Sequence, residues 1–534
     1  MTNPSSSRDD APATTPVNGA HALLATLEAN GVTTCFANPG TSEMHFVAGL
    51  DDVRAVHAIL CLFEGVATGA ADGYARVTRR PAATLLHLGP GLANGWANLH
   101  NARRAHVPLL NIIGDHATYH GALDAPLQSD IRALASALDG WTRTSTDSDH
   151  VASDVADALH AAYGPPGQVA TLILPADVSW NELTTQPAKW PVVSRPPLIA
   201  PSEHELVRAI DALRSKRTAI LVGGATLDAE QLNLAERIAV ASSSKFLVET
   251  FPAIMERGVG IASPERLIYV PEFAAAQLKD IDALVVLGAR DPVSFFAYPN
   301  VPSALRAPTC DLIDIGAPGT DTLSALTVLA DALGPARIPA AVGDVADAPS
   351  GELTTQSLAA AIAATLPDDC VVSDESNTAG VHFYGATRFA PRHSWMTLTG
   401  GAIGMGLPLA LGAAVGSGRR VLALEADGSM MYTLQALWTM ARESLDVTVV
   451  GLSNRSYAIL NFERQRVGAI GEGSAGQRLL DIDDPTLDLC ALASAQGVPS
   501  VRVTTAEELV EALRRSYATP GPMFIEAVLP KGLI

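Results

Sequence analysis

The chain has 534 residues, of which 48% are hydrophobic and 17% charged, and its formal net charge at pH 7 is −20. This length predicts about three domains, and the composition is typical of a large globular α/β protein that is further buried in an oligomer. The negative charge argues against nucleic acid and anionic membranes as partners, and no apolar stretch is long enough to span a membrane. Five cysteines without a CxxC spacing indicate neither a zinc site nor a disulfide framework, so a cytoplasmic location is expected.

Changes in composition divide the chain into a tail and three domains. Residues 1–18 are polar and rich in Ser, Pro and Asp, which predicts a disordered N-terminal tail without the features of a signal peptide. Residues 184–201 and 335–352 are rich in Pro and have no periodicity, so we interpret them as linkers. The predicted domains are residues 19–185, 202–335 and 353–534.

In the first domain, a single acid, Glu64, stands between an apolar strand and a helix of small residues. Taken alone, a carboxylate in the first turn of a helix is explained by the helix dipole. Two further segments make the pattern more specific. One is Asn38-Pro39-Gly40-Thr41-Ser-Glu43 before it, and the other is His87-Leu-Gly-Pro-Gly91 after it.

The second domain is predicted to be a Rossmann-like α/β unit. Its apolar strands Ala219–Val222 and Ala283–Leu287 are each followed by Gly, which would allow a nucleotide to bind. However, Gly223–Thr226 is not a full GxGxxG signature, so a scaffolding role is favoured.

The third domain contains a candidate metal site. Asp427 follows the predicted strand Arg420–Glu425, a helix is predicted over Ser429–Glu443, and Asn454 follows the next strand. Because the carboxyl ends of parallel strands meet at one edge, Asp427 and Asn454 can converge there. Their oxygens suit Mg²⁺, and the amide groups that open the helix suit a diphosphate. The alternative is an ordinary capped helix start.

The first and third domains are predicted to share a fold. Aligning the chain with itself so that Thr84–Gly89 coincides with Ala423–Gly428 gives the same order of strand, Gly-containing turn, helix and strand in both halves. Leu88 then stands at the position of Asp427. Only the C-terminal copy is therefore expected to bind the metal.

The Asp427 and Asn454 segment resembles the thiamine diphosphate (ThDP) motif, Gly-Asp-Gly followed by Asn, with Ala426 in place of the first Gly. With the N-terminal motifs, nearly all the chain after Gly19 is similar to the family of ThDP-dependent 2-oxo acid decarboxylases and carboligases. The resemblance implies three doubly wound parallel-sheet domains, in this order: a pyrimidine-binding domain, a central Rossmann-like domain, and a domain that binds the diphosphate and Mg²⁺. It also implies a homodimer or homotetramer, because the active site forms between the first domain of one subunit and the third of another.

The resemblance assigns roles residue by residue. Glu64 corresponds to the glutamate that hydrogen-bonds the aminopyrimidine and promotes its imino tautomer, His87 to a proton relay, and Thr41 to a carboxylate contact. A lone His at a strand end is as often merely hydrogen-bonded, and Ile403, the implied wedge between the cofactor rings, is otherwise a core residue. His116 and His120 are weaker candidates. The implied cofactor contacts are Asn38, Pro39, Gly40, Glu64, Asn377, Thr378, Gly401, Ile403, Asp427, Gly428, Ser429, Asn454 and Tyr457, and the implied metal ligands are Asp427, Asn454 and Ser456.

The reaction is less constrained than the cofactor. Residues 36–46 and 174–178 look most like acetolactate synthase large subunits, which favours joining two pyruvates into 2-acetolactate with loss of CO₂. Three alternatives stay open: simple decarboxylation of the benzoylformate decarboxylase type, a flavin oxidase, and a non-catalytic ThDP-binding partner subunit. FAD itself is doubtful, because residues 288–292 only partly match the flavin-binding segment. Phe295, Phe296 and Tyr298 could line an aromatic pocket, but core packing is favoured.

Overall fold

The structure is a computed structural model. It describes residues 17–224, 227–336, 343, 345, 347–469, 471 and 474–531. The predicted disordered tail lies outside these residues except for Val17 and Asn18. Val17 O accepts a hydrogen bond from Leu183 N, and the Asn18 side chain caps the first helix by accepting from His21 N. Each predicted domain contains one sheet, and the exact boundaries remain a prediction.

The first sheet consists of six parallel strands: β1 (Thr34–Asn38), β2 (His57–Leu60), β3 (Ala83–His87), β4 (Leu109–Asp115), β5 (Thr142–Thr144) and β6 (Val169–Pro175). Their order across the sheet is β2-β1-β3-β4-β6-β5. β4 and β6 are apolar runs buried along almost their whole length. This burial is expected of parallel strands that are covered by helices on both faces.

The central part of the chain contributes the next six strands: β7 (Thr218–Val222), β8 (Lys245–Val248), β9 (Ile254–Arg257), β10 (Glu265–Arg266), β11 (Ala283–Leu287) and β12 (Asp311–Gly316). Five of them form a parallel sheet in the order β10-β8-β7-β11-β12. From β7 the strand order runs outward to β8 and β10 on one side and to β11 and β12 on the other, so the order reverses between β7 and β11. The predicted Rossmann-like topology is therefore confirmed.

The third sheet contains the last six strands: β13 (Cys370–Glu375), β14 (His393–Thr397), β15 (Val421–Ala426), β16 (Val447–Ser453), β17 (Ser500–Val503) and β18 (Met523–Val528). They are mutually parallel, and β9 joins them at the edge, antiparallel to β14. One strand from the central part of the chain is therefore an edge strand of the third sheet.

The predicted duplication is confirmed by strand order. Reading from the opposite edge and leaving out β9, the third sheet runs β14-β13-β15-β16-β18-β17. This is the order of the first sheet, with β3 matching β15 and β4 matching β16, as in the self-alignment of the sequence. The first and third domains therefore share one doubly wound fold.

Helices cover the sheets. In the N-terminal part they are α1 (Gly19–Ala29), α2 (Met44–Gly49), α3 (Glu64–Thr78), α4 (Leu88–Ala105), α5 (Ile131–Ser136), α6 (Val151–Tyr163) and α7 (Ala176–Trp180). In the central part they are α8 (Glu203–Ser215), α9 (Ala229–Ser242), α10 (Pro271–Leu278) and α11 (Thr322–Leu333). In the C-terminal part they are α12 (Thr355–Thr365), α13 (Phe383–Ala386), α14 (Gly406–Ser417), α15 (Asp427–Met430), α16 (Ala436–Arg442), α17 (Ala458–Arg466), α18 (Ala475–Arg478), α19 (Leu489–Ala495) and α20 (Ala506–Ala518).

Two helices of small residues, α3 and α14, join the first and third domains. A Cβ atom at Gly73 would collide with the Leu409 backbone, and one at Gly412 would collide with the Ala70 carbonyl. These glycines are required because the two backbones approach so closely. A fully buried ion pair between Arg76 and Asp72, with a 2.7 Å contact, lies beside this packing.

The prediction of a single helix over residues 429–443 is wrong. The structure has α15 and α16 there, separated by a turn in which Tyr432 N and Thr433 N bond to carbonyls three residues back. Thr433 Oγ1 donates to Gly404 O at 2.9 Å, so a contact with a distant segment stabilises the interruption.

Two sequence expectations concern the whole chain. The five cysteines form no disulfide. Within the described part of the chain, no helix has the length and apolar character needed to cross a bilayer.

Candidate active site

The predicted metal ligands converge at the carboxyl edge of the third sheet. Asp427 follows β15 and Asn454 follows β16, and these two strands are paired in parallel. Asp427 Oδ2 accepts from Arg455 N at 2.6 Å and Oδ1 from Gly428 N at 2.9 Å. Asn454 Oδ1 accepts from Ser456 N at 3.0 Å. A carboxylate and an amide oxygen therefore lie on adjoining turns.

These ligands fit Mg²⁺. Burial raises the pKa of Asp427 to about 6, although backbone N–H groups oppose the shift. A cation beside the carboxylate would offset that burial cost, and Mg²⁺ prefers a few hard oxygens together with phosphate. Among the described residues, Ser456 O accepts only from Ala458 N, which leaves a lone pair for the predicted metal contact. Among the described residues, no three His, Cys, Asp or Glu side chains converge, and a site of this kind does not require them.

The residues predicted to hold the diphosphate surround the same turn. Asn377 Nδ2 donates to Ser429 Oγ at 2.9 Å, and Thr378 lies next to Asn377 in the short 3₁₀ helix Asn377–Gly380. A Cβ atom at Gly428 would lie 2.5 Å from the Tyr457 ring. The Tyr457 ring therefore packs directly against Gly428.

Ala426 is compatible with this turn. Its φ of −67° and ψ of 139° are extended values that any residue adopts. The glycine of the ThDP motif is thus not needed here for its conformational freedom.

The segment from Gly401 to Gly406 is fixed from both sides. Glu375 accepts hydrogen bonds from Gly404 N, at 2.7 Å, and from Gly406 N. From helix α4 of the first domain, Asn101 Nδ2 donates to Ala402 O at 2.8 Å while Asn101 Oδ1 accepts from Ala402 N at 3.3 Å. This segment contains Ile403, the predicted wedge between the cofactor rings, and its backbone is fixed by side chains.

Within the same segment, Asn98 Nδ2 donates to Gly404 O at 3.2 Å. Gly401 and Gly404 have φ values of 75° and 90°, where glycine is favoured. Ile403 is half-buried rather than part of the core. A partly exposed apolar side chain on a fixed backbone is consistent with the predicted wedge.

Two buried carboxyl groups lie under this segment. Burial raises the pKa of Glu375 to about 7. The pKa of Glu425 is raised well above its usual range by burial and by the nearby carboxylates of Glu375 and Asp374. Glu425 has no hydrogen-bond partner among the described residues. Burial without a partner therefore disfavours the charged form of Glu425.

In the first domain, Glu64 opens helix α3 and is half-buried. Its Oε2 accepts from Asn94 Nδ2 at 3.0 Å, and a Cβ atom at Gly91 would lie 3.4 Å from Oε1. Asn38 ends β1, where its Nδ2 donates to Cys61 O at 2.9 Å, and Pro39 connects it to Gly40. Glu64 therefore lies at the carboxyl end of the sheet, with Oε2 bound by Asn94.

His87 is oriented by a residue that the sequence did not single out. Its Nδ1 lies 2.8 Å from Glu43 Oε2, which also accepts from Gly40 N at 2.6 Å. Burial raises the pKa of Glu43, and the Gly40 N–H and His87 oppose that shift. A Cβ atom at Gly40 would collide with the His87 ring. Gly40, Glu43 and His87 thus form one unit that fixes the ring through Nδ1.

Thr41 is exposed at the start of the 3₁₀ helix Thr41–Glu43. His116 and His120 lie after β4 with ring centroids 5.2 Å apart. In the described residues, no hydrogen bond connects Glu64, Thr41 or His87 with the Asp427 group. Within one chain, these candidate residues therefore form two separate groups, termed half-sites below, each at the carboxyl edge of its own sheet.

Several residues of these half-sites were missed in the sequence. Glu43, Glu375 and Glu425 are defined by burial between distant segments. Asn98 and Asn101 read as ordinary polar positions of a helix. The sequence offered one indication of their role: both asparagines lie among small residues in the helix that is repeated in the third domain.

The central crevice is narrow at its described turns. The turns after β7 and β11 touch, since a Cβ atom at Gly288 would lie 2.5 Å from Gly223 O. The cavity beside them measures about 10 Å³, room for one water at most. Glu249 Oε1 accepts from Gly224 N at 2.7 Å, and burial raises the Glu249 pKa to about 7.

Comparison with known proteins gives consistent matches. Residues 17–136 match the N-terminal TPP binding domain of thiamine pyrophosphate enzymes, and residues 377–527 match the C-terminal TPP binding domain. The chain is 51% identical to a Mycobacterium tuberculosis protein named "Putative acetolactate synthase large subunit IlvX", over 96% of this chain and 99% of that one. It is 29% identical to benzoylformate decarboxylase of Pseudomonas aeruginosa, over 94% of this chain and 96% of that one.

Among solved structures, the fold matches the ThDP-dependent 4-hydroxybenzoylformate decarboxylase of Rhodococcus jostii RHA1. The TM-score is 0.80 at 24% identity, and the match covers 97% of this chain and 100% of the other. At this identity the match supports the fold alone.

Proposed function

The chain belongs to the thiamine diphosphate-dependent enzymes, and from that premise we propose that it is a Mg²⁺-dependent C–C lyase or carboligase of 2-oxo acids, similar to acetolactate synthase. The observation that carries this proposal is the convergence of Asp427 and Asn454 next to the fixed Gly401–Gly406 segment. The proposal omits a flavin, because residues 288–292 only partly match the flavin-binding segment.

The chain's own residues have separable tasks in this proposal. Asp427, Asn454 and the Ser456 carbonyl bind Mg²⁺, and Gly428, Ser429 and Asn377 bind the diphosphate. When bound, ThDP supplies a nucleophilic thiazolium carbon and an electron sink for the loss of CO₂. Glu64 holds a proton at the pyrimidine ring.

His87 moves protons at the reacting carbonyl through Nε2, because Glu43 engages Nδ1. This assignment follows the usual arrangement in which a carboxylate orients a histidine that acts at its other nitrogen. Thr41, exposed nearby, contacts the substrate carboxylate.

The proposal includes a homodimer or homotetramer in a reducing, cytoplasmic setting. Two half-sites on one chain support the shared active site, because Glu64 and Asp427 belong to different sheets. The five cysteines without disulfides support the compartment.

Simple decarboxylation of the benzoylformate decarboxylase type is a second candidate. The oriented His87 favours it, since such a group can protonate the product and release an aldehyde. A non-catalytic partner subunit is less favoured, because Ala426, the departure from the ThDP motif, is accommodated without strain, and Glu64, Asp427 and Asn454 are present.

The test is product analysis by proton NMR. The purified protein is incubated with ThDP, Mg²⁺ and 2-oxo acids, beginning with pyruvate, next to a Glu64→Gln variant. A 2-hydroxy ketone or acetohydroxy acid supports the carboligase, and an aldehyde supports the decarboxylase. Full turnover by Glu64→Gln contradicts the proposal.

A further inference from the structure

An exposed aromatic cluster lies in the central part of the chain. Phe251, Tyr269 and Phe296 all pack around Phe295, with ring centroids 5.7, 5.6 and 5.4 Å from it. Phe295 is 44% exposed and Phe296 57% exposed. The prediction of core packing is therefore wrong for these two residues, because a large part of each ring faces outwards.

This cluster touches the segment that is proposed to hold the cofactor. Gly401 has a φ of 75°, and a Cβ atom there would lie 2.9 Å from Phe295 Cζ. Phe295 therefore lies against the first residue of the Gly401–Gly406 segment. Phe296, the more exposed ring, extends the apolar surface away from that backbone.

The opposite side of the cluster is fixed to α17, the helix that directly follows the metal-binding turn. Tyr269 Oη donates to Glu463 Oε1 at 3.4 Å, and the Arg466 guanidinium lies 4.1 Å from the Tyr298 ring centroid. Arg466 also pairs with Glu272 at 2.7 Å. Its charge is thus already engaged, and it does not make the surface of Phe295 and Phe296 a carboxylate site.

The surface is therefore aromatic, the neighbouring Arg466 is already paired, and the cluster lies against the Gly401–Gly406 segment. The methyl group of pyruvate is too small to cover two half-exposed rings. An aryl or branched apolar side chain would cover them and gain both hydrophobic and ring-to-ring contacts.

Resting on the proposed function, we propose that Phe295 and Phe296 are specificity-determining residues that receive the side chain of the 2-oxo acid. The preferred substrate then carries an aromatic or bulky apolar side chain rather than the methyl group of pyruvate.

The test compares kcat/KM for CO₂ release from benzoylformate, 4-methyl-2-oxopentanoate and pyruvate by the ThDP- and Mg²⁺-loaded oligomer. The wild type is expected to favour the two larger substrates. Phe296→Ala should lower kcat/KM for them by about 10-fold, mainly through KM, and change pyruvate little, whereas Phe296→Leu should recover part of the loss. Phe273→Ala is the matched control, because Phe273 is also on the central domain and is 61% exposed.

A preference for pyruvate, an equal loss on all substrates, or the same change in Phe273→Ala would overturn the inference. Dissociation of the Phe296→Ala oligomer with unchanged selectivity would also overturn it, since the surface would then be a subunit interface.

Binding separates this inference from the proposed function. If no 2-oxo acid is turned over, calorimetric titration of the cofactor-loaded protein with benzoylformate and with pyruvate still tests the aromatic surface. Tighter binding of benzoylformate than of pyruvate, lost in Phe296→Ala, supports the aromatic surface while the reaction fails. Equal binding of both contradicts it.

Discussion

At the scale of single residues, neighbouring small residues of the ThDP motif have different reasons to be small. Ala426 has ordinary extended angles and tolerates a Cβ atom. Gly428 faces the Tyr457 ring, which leaves no room for one. Sequence comparison treats both positions as glycines of one motif, and only the geometry separates them.

We therefore expect opposite results from two one-methyl changes. Gly428→Ala should weaken ThDP binding by about 10-fold or more, because the new methyl group displaces Tyr457 or the diphosphate. Ala426→Gly should leave that affinity within about twofold and lower stability by at most about 1 kcal/mol, as the unfolded chain gains freedom. Fluorescence titration with ThDP at saturating Mg²⁺ checks both variants. Similar losses in both would contradict the distinct roles.

His393 makes stability depend on pH. Its Nδ1 donates to Pro391 O, and its Nε2 is buried without a partner among the described residues. Burial lowers its pKa from 6.5 to about 4, helped by the charge of Arg257. Between those values the unfolded chain binds more protons than the folded one. Stability is therefore complete above pH 6.5 and is lost as the pH falls towards 4.

This linkage predicts a loss of up to about 3 kcal/mol between pH 7 and pH 4. His393→Asn retains a donor for Pro391 O but does not titrate. Its urea midpoint should be lower than that of the wild type at pH 7 and should fall less steeply on acidification. Parallel curves for the two proteins would show that other groups cause the acid sensitivity.

At the scale of secondary structure, strands were more predictable than the site. Buried apolar runs and the repeat along the chain are local signals, and they sufficed for the duplicated fold and for placing Asp427 and Asn454 at one edge. The prediction of one helix over residues 429–443 failed because a contact between Thr433 and Gly404 interrupts the helix. Glu43 and Glu375 escaped notice because burial between distant segments defines their roles.

Helix α4 is expected to act on the cofactor site through Asn101. Asn101→Ala leaves Ala402 N–H and C=O without their partner, so the Gly401–Gly406 segment should become less ordered. Because each unsatisfied buried group costs about 1–3 kcal/mol, ThDP affinity should fall by about 10-fold. The matched control is Arg103→Ala on the same helix, which removes only a partly exposed ion pair with Asp139. Equal ThDP affinities in the wild type and Asn101→Ala would exclude this coupling.

At the scale of the whole molecule, the chain contains two copies of one fold that carry different candidate residues. The C-terminal copy has Asp427, the proposed metal ligand, while the N-terminal copy has Leu88 at that position and carries Glu64 and His87. The α3 and α14 helices hold the two copies together within the chain. The two half-sites lie on different sheets of one chain. The sequence resemblance suggests that a second subunit completes each of them, and this is our proposal.

Subunit complementation tests this central claim most directly. Glu64→Gln and Asp427→Ala should each be nearly inactive alone. If the active site joins Glu64 of one subunit to Asp427 of another, a mixed dimer of the two variants contains one intact site. Co-expressed in equal amounts, they should then regain about a quarter of wild-type 2-oxo acid turnover. Mixed oligomers that form but have no more activity than the separate variants would contradict the shared active site.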